Sequence, residues 1–92
     1  MDPKIIIREA KAALDRNRPE EALAIIEQSQ TEHRDEILFL KGEIYFKLEQ
    51  WGNALNQFSS YLELFPDDQK AQSYCQMIHN ILGFFHKDLY NP

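Results

Sequence analysis

The sequence predicts an all-α protein in which two helical hairpins are followed by a long fifth helix. Its apolar residues recur at steps of three and four, which is the spacing of residues on one face of a helix. Only three glycines and four prolines interrupt the chain, and most of the prolines stand where helices can begin. Because 92 residues leave room for one hydrophobic core, we expect a single domain over residues 1–92.

The first hairpin is expected within residues 3–34. Asp2 and Pro3 form an N-cap and a first-turn proline, which together predict the start of a helix. Pro19 predicts the start of the second helix, and the two glutamates after it suit the positive end of the helix dipole. A polar connector, roughly residues 30–34, ends this unit. The inner positions of the two helices are Ile6, Ala10, Ala13 and Leu14, and then Ala22, Ile25, Ile26 and Ser29.

The second hairpin, residues 35–68, has the clearest pattern. A helix that starts near Asp35 or Glu36 carries Gly42 in its middle, where glycine costs about 1 kcal/mol relative to alanine. We therefore expect another helix to approach closely at this point. The apolar positions of this helix are Ile37, Leu38, Ile44, Tyr45 and Leu48. Those of the next helix are Trp51, Ala54, Leu55, Phe58, Tyr61, Leu62 and Phe65.

The fifth helix is expected over residues 69–86, with 87–92 as a loose tail. Pro66 and the two aspartates after it end the fourth helix and cap the fifth. The stripe that faces the fourth helix is Ala71, Tyr74, Cys75, Ile78, Leu82 and Phe85. A second apolar line consists of Met77, Ile81 and Phe84, with Tyr90 in the tail. Because a core of this size does not need both lines, the second one predicts a self-association surface for a homodimer, and its burial within a monomer is the alternative.

An internal repeat relates the two hairpins. Ala10 and Gly42, Ala22 and Ala54, and Ile26 and Phe58 form pairs whose members are each 32 residues apart. The second hairpin resembles a tetratricopeptide repeat, a helix-turn-helix unit of about 34 residues. The positions that carry the resemblance are Leu38, Gly42, Tyr45, Ala54, Phe58 and Pro66. The resemblance implies a fragment of a right-handed α-solenoid, with 3–34 as a degenerate first repeat, 35–68 as the second repeat and the fifth helix as a capping helix.

The same resemblance implies a protein-interaction module in which the first helix of each pair lines a concave groove. The groove residues that it implies are Ile7, Lys11, Leu14, Phe39, Glu43, Phe46 and Lys47. Phe39 and Phe46 share a face of their helix, and the alternative is that helices one and five cover these rings. Family members that clamp the C-terminal carboxylate of a partner use basic and amide residues of their first helices. At the corresponding positions this chain has Ile7, Phe39 and Glu43. Binding of an acidic C-terminal tail is therefore disfavoured. Within 35–68 the acidic residues outnumber Lys41 and Lys47, so a neutral or basic apolar peptide is the expected guest, and a general contribution of the acidic residues to solubility is the alternative.

Composition and motifs disfavour several other functions. A net charge of −5 is the wrong sign for nucleic acid, and no apolar run approaches the about 18 residues of a membrane-spanning helix. The single cysteine, Cys75, cannot form an intramolecular disulfide, which suits the cytoplasm. Cys75 and His79 could reach one metal ion, but two ligands do not make a structural zinc site. We expect no cofactor, and no enzyme, because no nucleophile and base share a motif.

Overall fold

The structure, a computed structural model, describes residues 2–28 and 34–85, and these residues form helices and turns without a strand. The five helices are α1 Pro3–Asp15, α2 Pro19–Ile26, α3 Arg34–Lys47, α4 Trp51–Leu64 and α5 Gln69–Phe85. The predicted helix order is confirmed, and α3 begins at Arg34, which the sequence placed in the connector. Ser29, the rest of the connector and the tail from 86 onward lie outside the described residues.

The turn between α1 and α2 has the same backbone geometry as the turn between α3 and α4. A residue with positive φ follows each first helix, Asn17 at 61° and Glu49 at 60°. This left-handed residue lets the next backbone N–H reach back five residues, as in a Schellman motif. The bonds join Arg18 N to Ala13 O and Gln50 N to Tyr45 O, each at 2.9 Å. Since the equivalent positions are 32 residues apart, the repeat in the sequence is also a repeat in backbone conformation.

Two apolar clusters form the core, and α3 contributes to both of them. The first cluster joins α1, α2 and α3, and its buried members are Ile6, Ile7, Ala10, Ala13, Ala22, Ile26, Ile37, Leu40 and Ile44. The second joins α3, α4 and α5, with Ala54, Phe58, Ala71 and Ile78 buried and aromatic side chains around them. This shared position explains why α3 is apolar on more than one side, which a helix packed in a single hairpin would not need.

The closest approach of α3 and α4 lies at Gly42. A Cβ placed on Gly42 would stand 2.7 Å from atoms of the Phe58 ring, so only glycine fits there without a shift. The ring cannot shift easily, because it is completely buried and stacks on the Tyr74 ring at 4.5 Å between centroids. Ala54 is also completely buried. The predicted close approach at Gly42 is confirmed.

The Gly42→Ala variant should be less stable than the wild type, although alanine is the better helix former. Overpacking a well-filled core costs about 1–3 kcal/mol, whereas the gain in helix propensity is about 1 kcal/mol. We expect a net loss of up to about 2 kcal/mol in the free energy of unfolding, measured by urea unfolding followed by circular dichroism. Gly83→Ala in α5 is the matched control, because nothing lies within 4 Å of its added Cβ and it should stabilise the protein. A Gly42→Ala protein as stable as the wild type would contradict the close approach.

The Glu49→Gly variant should be more stable than the wild type. Left-handed backbone costs a residue with a Cβ about 1 kcal/mol, and glycine is the preferred residue at this position after a helix. Thermal unfolding should therefore show a higher Tm, with a gain of about 0.5–1 kcal/mol. Asn17→Gly, at the equivalent turn, should gain less, because asparagine already tolerates this conformation. A lower Tm for Glu49→Gly would show that its side chain stabilises the turn in another way.

Candidate functional site

A cleft of about 310 Å³ lies between α1, α3 and α5, with one side chain of α4 at its edge. Its lining residues are Lys11, Asp35, Glu36, Phe39, Leu40, Glu43, Tyr61 and Lys70. A second hollow of about 450 Å³ runs along α1 and shares Lys11 and Glu36 with the cleft. The two hollows therefore lie next to each other on α1 and α3.

The structure brings three of the predicted groove residues together in the cleft, namely Lys11, Phe39 and Glu43. The other four lie elsewhere. Ile7 is only 4% exposed and belongs to the first core cluster, although its edge reaches the second hollow, and Leu14 packs against the same cluster. Phe46 packs between Trp51 of α4 and Tyr74 of α5, with ring centroids at 5.2 and 5.1 Å. Lys47 is exposed at the end of α3 and does not line the cleft.

Phe39 is the aromatic wall of the cleft and is held by three neighbouring rings. Its ring meets Phe58 at 5.4 Å, Tyr61 at 5.0 Å and Tyr74 at 6.0 Å between centroids, each time edge to face. Edge-to-face pairs of this kind add about 0.5–1.5 kcal/mol to the burial of the rings. The ring is thus fixed by α4 and α5, and only part of it faces the cleft.

A polar cluster of three side chains lies beside this ring. The Tyr74 hydroxyl donates a hydrogen bond to Oε2 of Glu43 at 3.0 Å, and Nζ of Lys70 lies 3.7 Å from the same oxygen. Nζ of Lys70 also stands over the Phe39 ring, 5.3 Å from its centroid. Burial raises the pKa of Tyr74 to about 12, and the charge and hydrogen bond of Glu43 add to this effect. Tyr74 therefore remains a protonated donor at any physiological pH.

Tyr61 links the edge of the cleft to the start of α5. Its hydroxyl donates to Oδ2 of Asp68 at 3.3 Å, while Oδ1 of Asp68 accepts from the backbone N–H of Ala71 at 2.9 Å and so caps α5. Burial raises the pKa of Tyr61, and the charges of Asp68 and Asp35 contribute. The N-cap of α5 predicted from the aspartates after Pro66 is thus Asp68.

Five of the eight residues that line the cleft were not predicted for the groove, namely Asp35, Glu36, Leu40, Tyr61 and Lys70. Tyr61 was assigned only to the apolar stripe of α4, and its contacts with Phe39 and Asp68 join different helices. Lys70 carries one signal that could have been noticed. It lies in the first turn of α5, where a cation opposes the helix dipole, so a compensating partner elsewhere in the fold was to be expected.

The residues predicted for self-association are only partly described. Met77 is 43% exposed on α5, and Ile81 is half-buried. The side chain of Phe84 and all of Tyr90 lie outside the described residues, as does the side chain of Phe85 from the inner stripe. The other inner positions of α5 are confirmed, because Ala71 and Ile78 are completely buried and Tyr74, Cys75 and Leu82 pack against them.

The described residues contain neither a cluster of metal ligands nor a membrane-spanning helix. Within residues 2–28 and 34–85, no three His, Cys, Asp or Glu side chains stand close enough to share a metal ion. Burial raises the pKa of the Cys75 thiol, so it is a weak nucleophile near neutral pH. None of the five described helices has both the length and the apolar character needed to cross a bilayer.

Comparison with known proteins provides no relative. The chain matches no protein-family model, no curated protein and no solved structure. The resemblance to the tetratricopeptide repeat therefore stays a prediction from the sequence, and the chemistry of the cleft has to be inferred from its own residues.

The raised pKa of Tyr74 predicts a loss of stability at high pH. Above the ordinary tyrosine pKa of 10.0, the unfolded chain releases a proton that the folded protein keeps until about pH 12. The contribution of Tyr74 to the free energy of unfolding is therefore fully present below pH 10 and should decrease as the pH rises from 10 toward 12. In urea unfolding at several pH values, the free energy of unfolding should decline more steeply with pH for the wild type than for Tyr74→Phe. Equal slopes for the two proteins would contradict the assigned environment of Tyr74.

Proposed function

We propose that this chain is a non-catalytic protein-interaction module that holds a peptide or a partner helix in the cleft between α1, α3 and α5. The observation that carries the proposal is the composition of the cleft, where the fixed Phe39 ring and Leu40 stand beside carboxylates and ammonium groups. An apolar floor with a few converging polar groups is the usual make-up of a binding groove.

The charges that line the cleft favour a neutral or basic apolar segment as the guest. Asp35, Glu36 and Glu43 outnumber Lys11 and Lys70, and the whole chain has a net charge of −5. An acidic peptide or a nucleic acid would meet a field of the same sign as its own. The same field is expected to speed the approach of a basic partner.

The proposal includes the repeat architecture. Two hairpins with matching turns, the 32-residue spacing and the close approach at Gly42 support tetratricopeptide-like repeats capped by α5, as a fragment of a right-handed α-solenoid. In such a stack the first helix of each hairpin lines the groove, and α1 and α3 both line this cleft. A reducing, cytoplasmic setting suits the single thiol of Cys75.

Selection from a displayed library of random peptides tests the proposal. Peptides that bind the intact protein should combine basic with large apolar residues. The Glu36→Lys variant changes an exposed residue of the cleft wall and reverses the charge at one of its three carboxylates. It should lower the affinity for the selected peptides by about tenfold, as measured by fluorescence anisotropy.

Glu63→Lys is the matched control for this experiment. Glu63 is exposed on α4 and does not line the cleft. The Glu63→Lys variant therefore has the same change in net charge as Glu36→Lys, but at a distance from the cleft. The proposal fails if no peptide is selected, or if both charge reversals weaken the selected peptides equally. Circular dichroism confirms that each variant keeps its helices.

Self-association is a second candidate function, favoured by the exposure of Met77 on α5. A thioether that is 43% exposed on a helix whose other face is buried suits an isologous contact between two copies. Light scattering of the protein used for the peptide selection separates the two candidates. A monomer at every concentration counts against self-association, and a dimer dissociated by Met77→Glu supports it.

A further inference from the structure

Glu43 and Phe39 together form a cation site inside the cleft. Oε2 of Glu43 lies 3.7 Å from the ammonium of Lys70, and the centre of the Phe39 ring lies 5.3 Å from the same nitrogen. A carboxylate and an aromatic face on two sides of one ammonium supply both ionic and cation–π attraction. The position of Lys70 therefore shows where a positive charge is held within this groove.

The two side chains that form this site, Glu43 and Phe39, are held in place by the core. The Glu43 side chain is only 22% exposed and accepts the hydrogen bond of Tyr74, whose ring is stacked on the buried Phe58. Phe39 is held by its three ring neighbours. Neither group has to rearrange to receive a cation, so the site is preorganised.

The occupant, in contrast, is loosely held. The side chain of Lys70 is 68% exposed, and an exposed ion pair of this length contributes little to stability. Lys70 also lies in the first turn of α5, where the helix dipole disfavours a cation. Its ammonium can move into water without disturbing a buried group, which leaves Glu43 and Phe39 open to another cation.

We propose that Glu43 and Phe39 are the recognition site for a lysine or arginine side chain of the bound segment, and that Lys70 is an internal competitor that the ligand displaces. This inference rests on the proposed function in placing the ligand in the cleft, and it adds which part of the ligand is recognised. Lys70 then lowers the affinity for each ligand whose cation takes this position.

Small probes test the site without a peptide. N-acetyl-lysine amide and N-acetyl-arginine amide carry the cation, and N-acetyl-norleucine amide carries a similar apolar chain without charge. In NMR titrations of the full chain, Lys70→Ala should bind the two basic probes at least about fivefold more tightly than the wild type and leave the norleucine probe unchanged. Adding Glu43→Gln should remove that gain, because the amide keeps the shape and loses the charge.

Arg16→Ala is the control for net charge. Arg16 is exposed at the end of α1 and does not line the cleft, so losing its charge should not change the affinity for the basic probes. The inference is overturned if Lys70→Ala binds them no better than the wild type, if Arg16→Ala gives the same gain, or if the norleucine probe gains equally. Dispersed amide spectra confirm that each variant is folded.

The outcome for this site can be separated from that for the peptide groove. Tighter binding of basic probes to Lys70→Ala supports the cation site even where the displayed library yields no peptide, and the proposed function then fails alone. If the affinity of the selected peptides is changed by neither Lys70→Ala nor Glu43→Gln, the result supports the peptide groove and overturns the cation site.

Discussion

The contact between Gly42 and the Phe58 ring is the constraint on which the rest of this structure depends. The missing Cβ lets α4 press its largest buried side chain against the backbone of α3. The outer face of the same ring then stacks on Tyr74 and so positions α5. Tyr74 in turn orients Glu43 through its hydroxyl group. The position of the Glu43 carboxylate in the cleft is therefore linked, through Tyr74 and Phe58, to the absence of a side chain at Gly42.

The sequence predicted the helices, their order and most of their buried positions, because periodic apolar spacing decides which face of a helix turns inward. It missed Leu40, which is only 1% exposed, and it placed Phe65 in the inner stripe of α4, where the side chain is 44% exposed beyond the end of the helix. The site was predicted only in part. Spacing places Phe39 and Phe46 on one face, but it does not show that Phe39 lines the cleft while Phe46 packs between Trp51 and Tyr74. Lys70 was missed because its partner, Glu43, lies on another helix, and contacts between distant segments leave no local pattern.

Aromatic side chains dominate the second core cluster, whereas the first is built from isoleucine and alanine. The difference follows from the residues on the two hairpins at equivalent positions. Ile26 and Phe58 occupy the same place in the repeat, as do Ala13 and Tyr45. Tyr61 of the second hairpin and Tyr74 of α5 place their hydroxyl groups at the surface of the second cluster, where they donate to Asp68 and Glu43. The first hairpin has no tyrosines, so hydrogen bonds of this kind are found beside the second cluster.

Because α3 supplies side chains to both clusters, the protein has no natural point of division. Cleavage in the segment between 28 and 34 would leave α1 and α2 with an open apolar surface, since Ile37, Leu40 and Ile44 would depart with the other fragment. Each fragment would then expose the apolar side chains that the other fragment had covered. Neither is expected to bury enough apolar surface to stay folded alone. A cut in this segment would thus yield two parts that fold only while they remain in contact, instead of two independent domains.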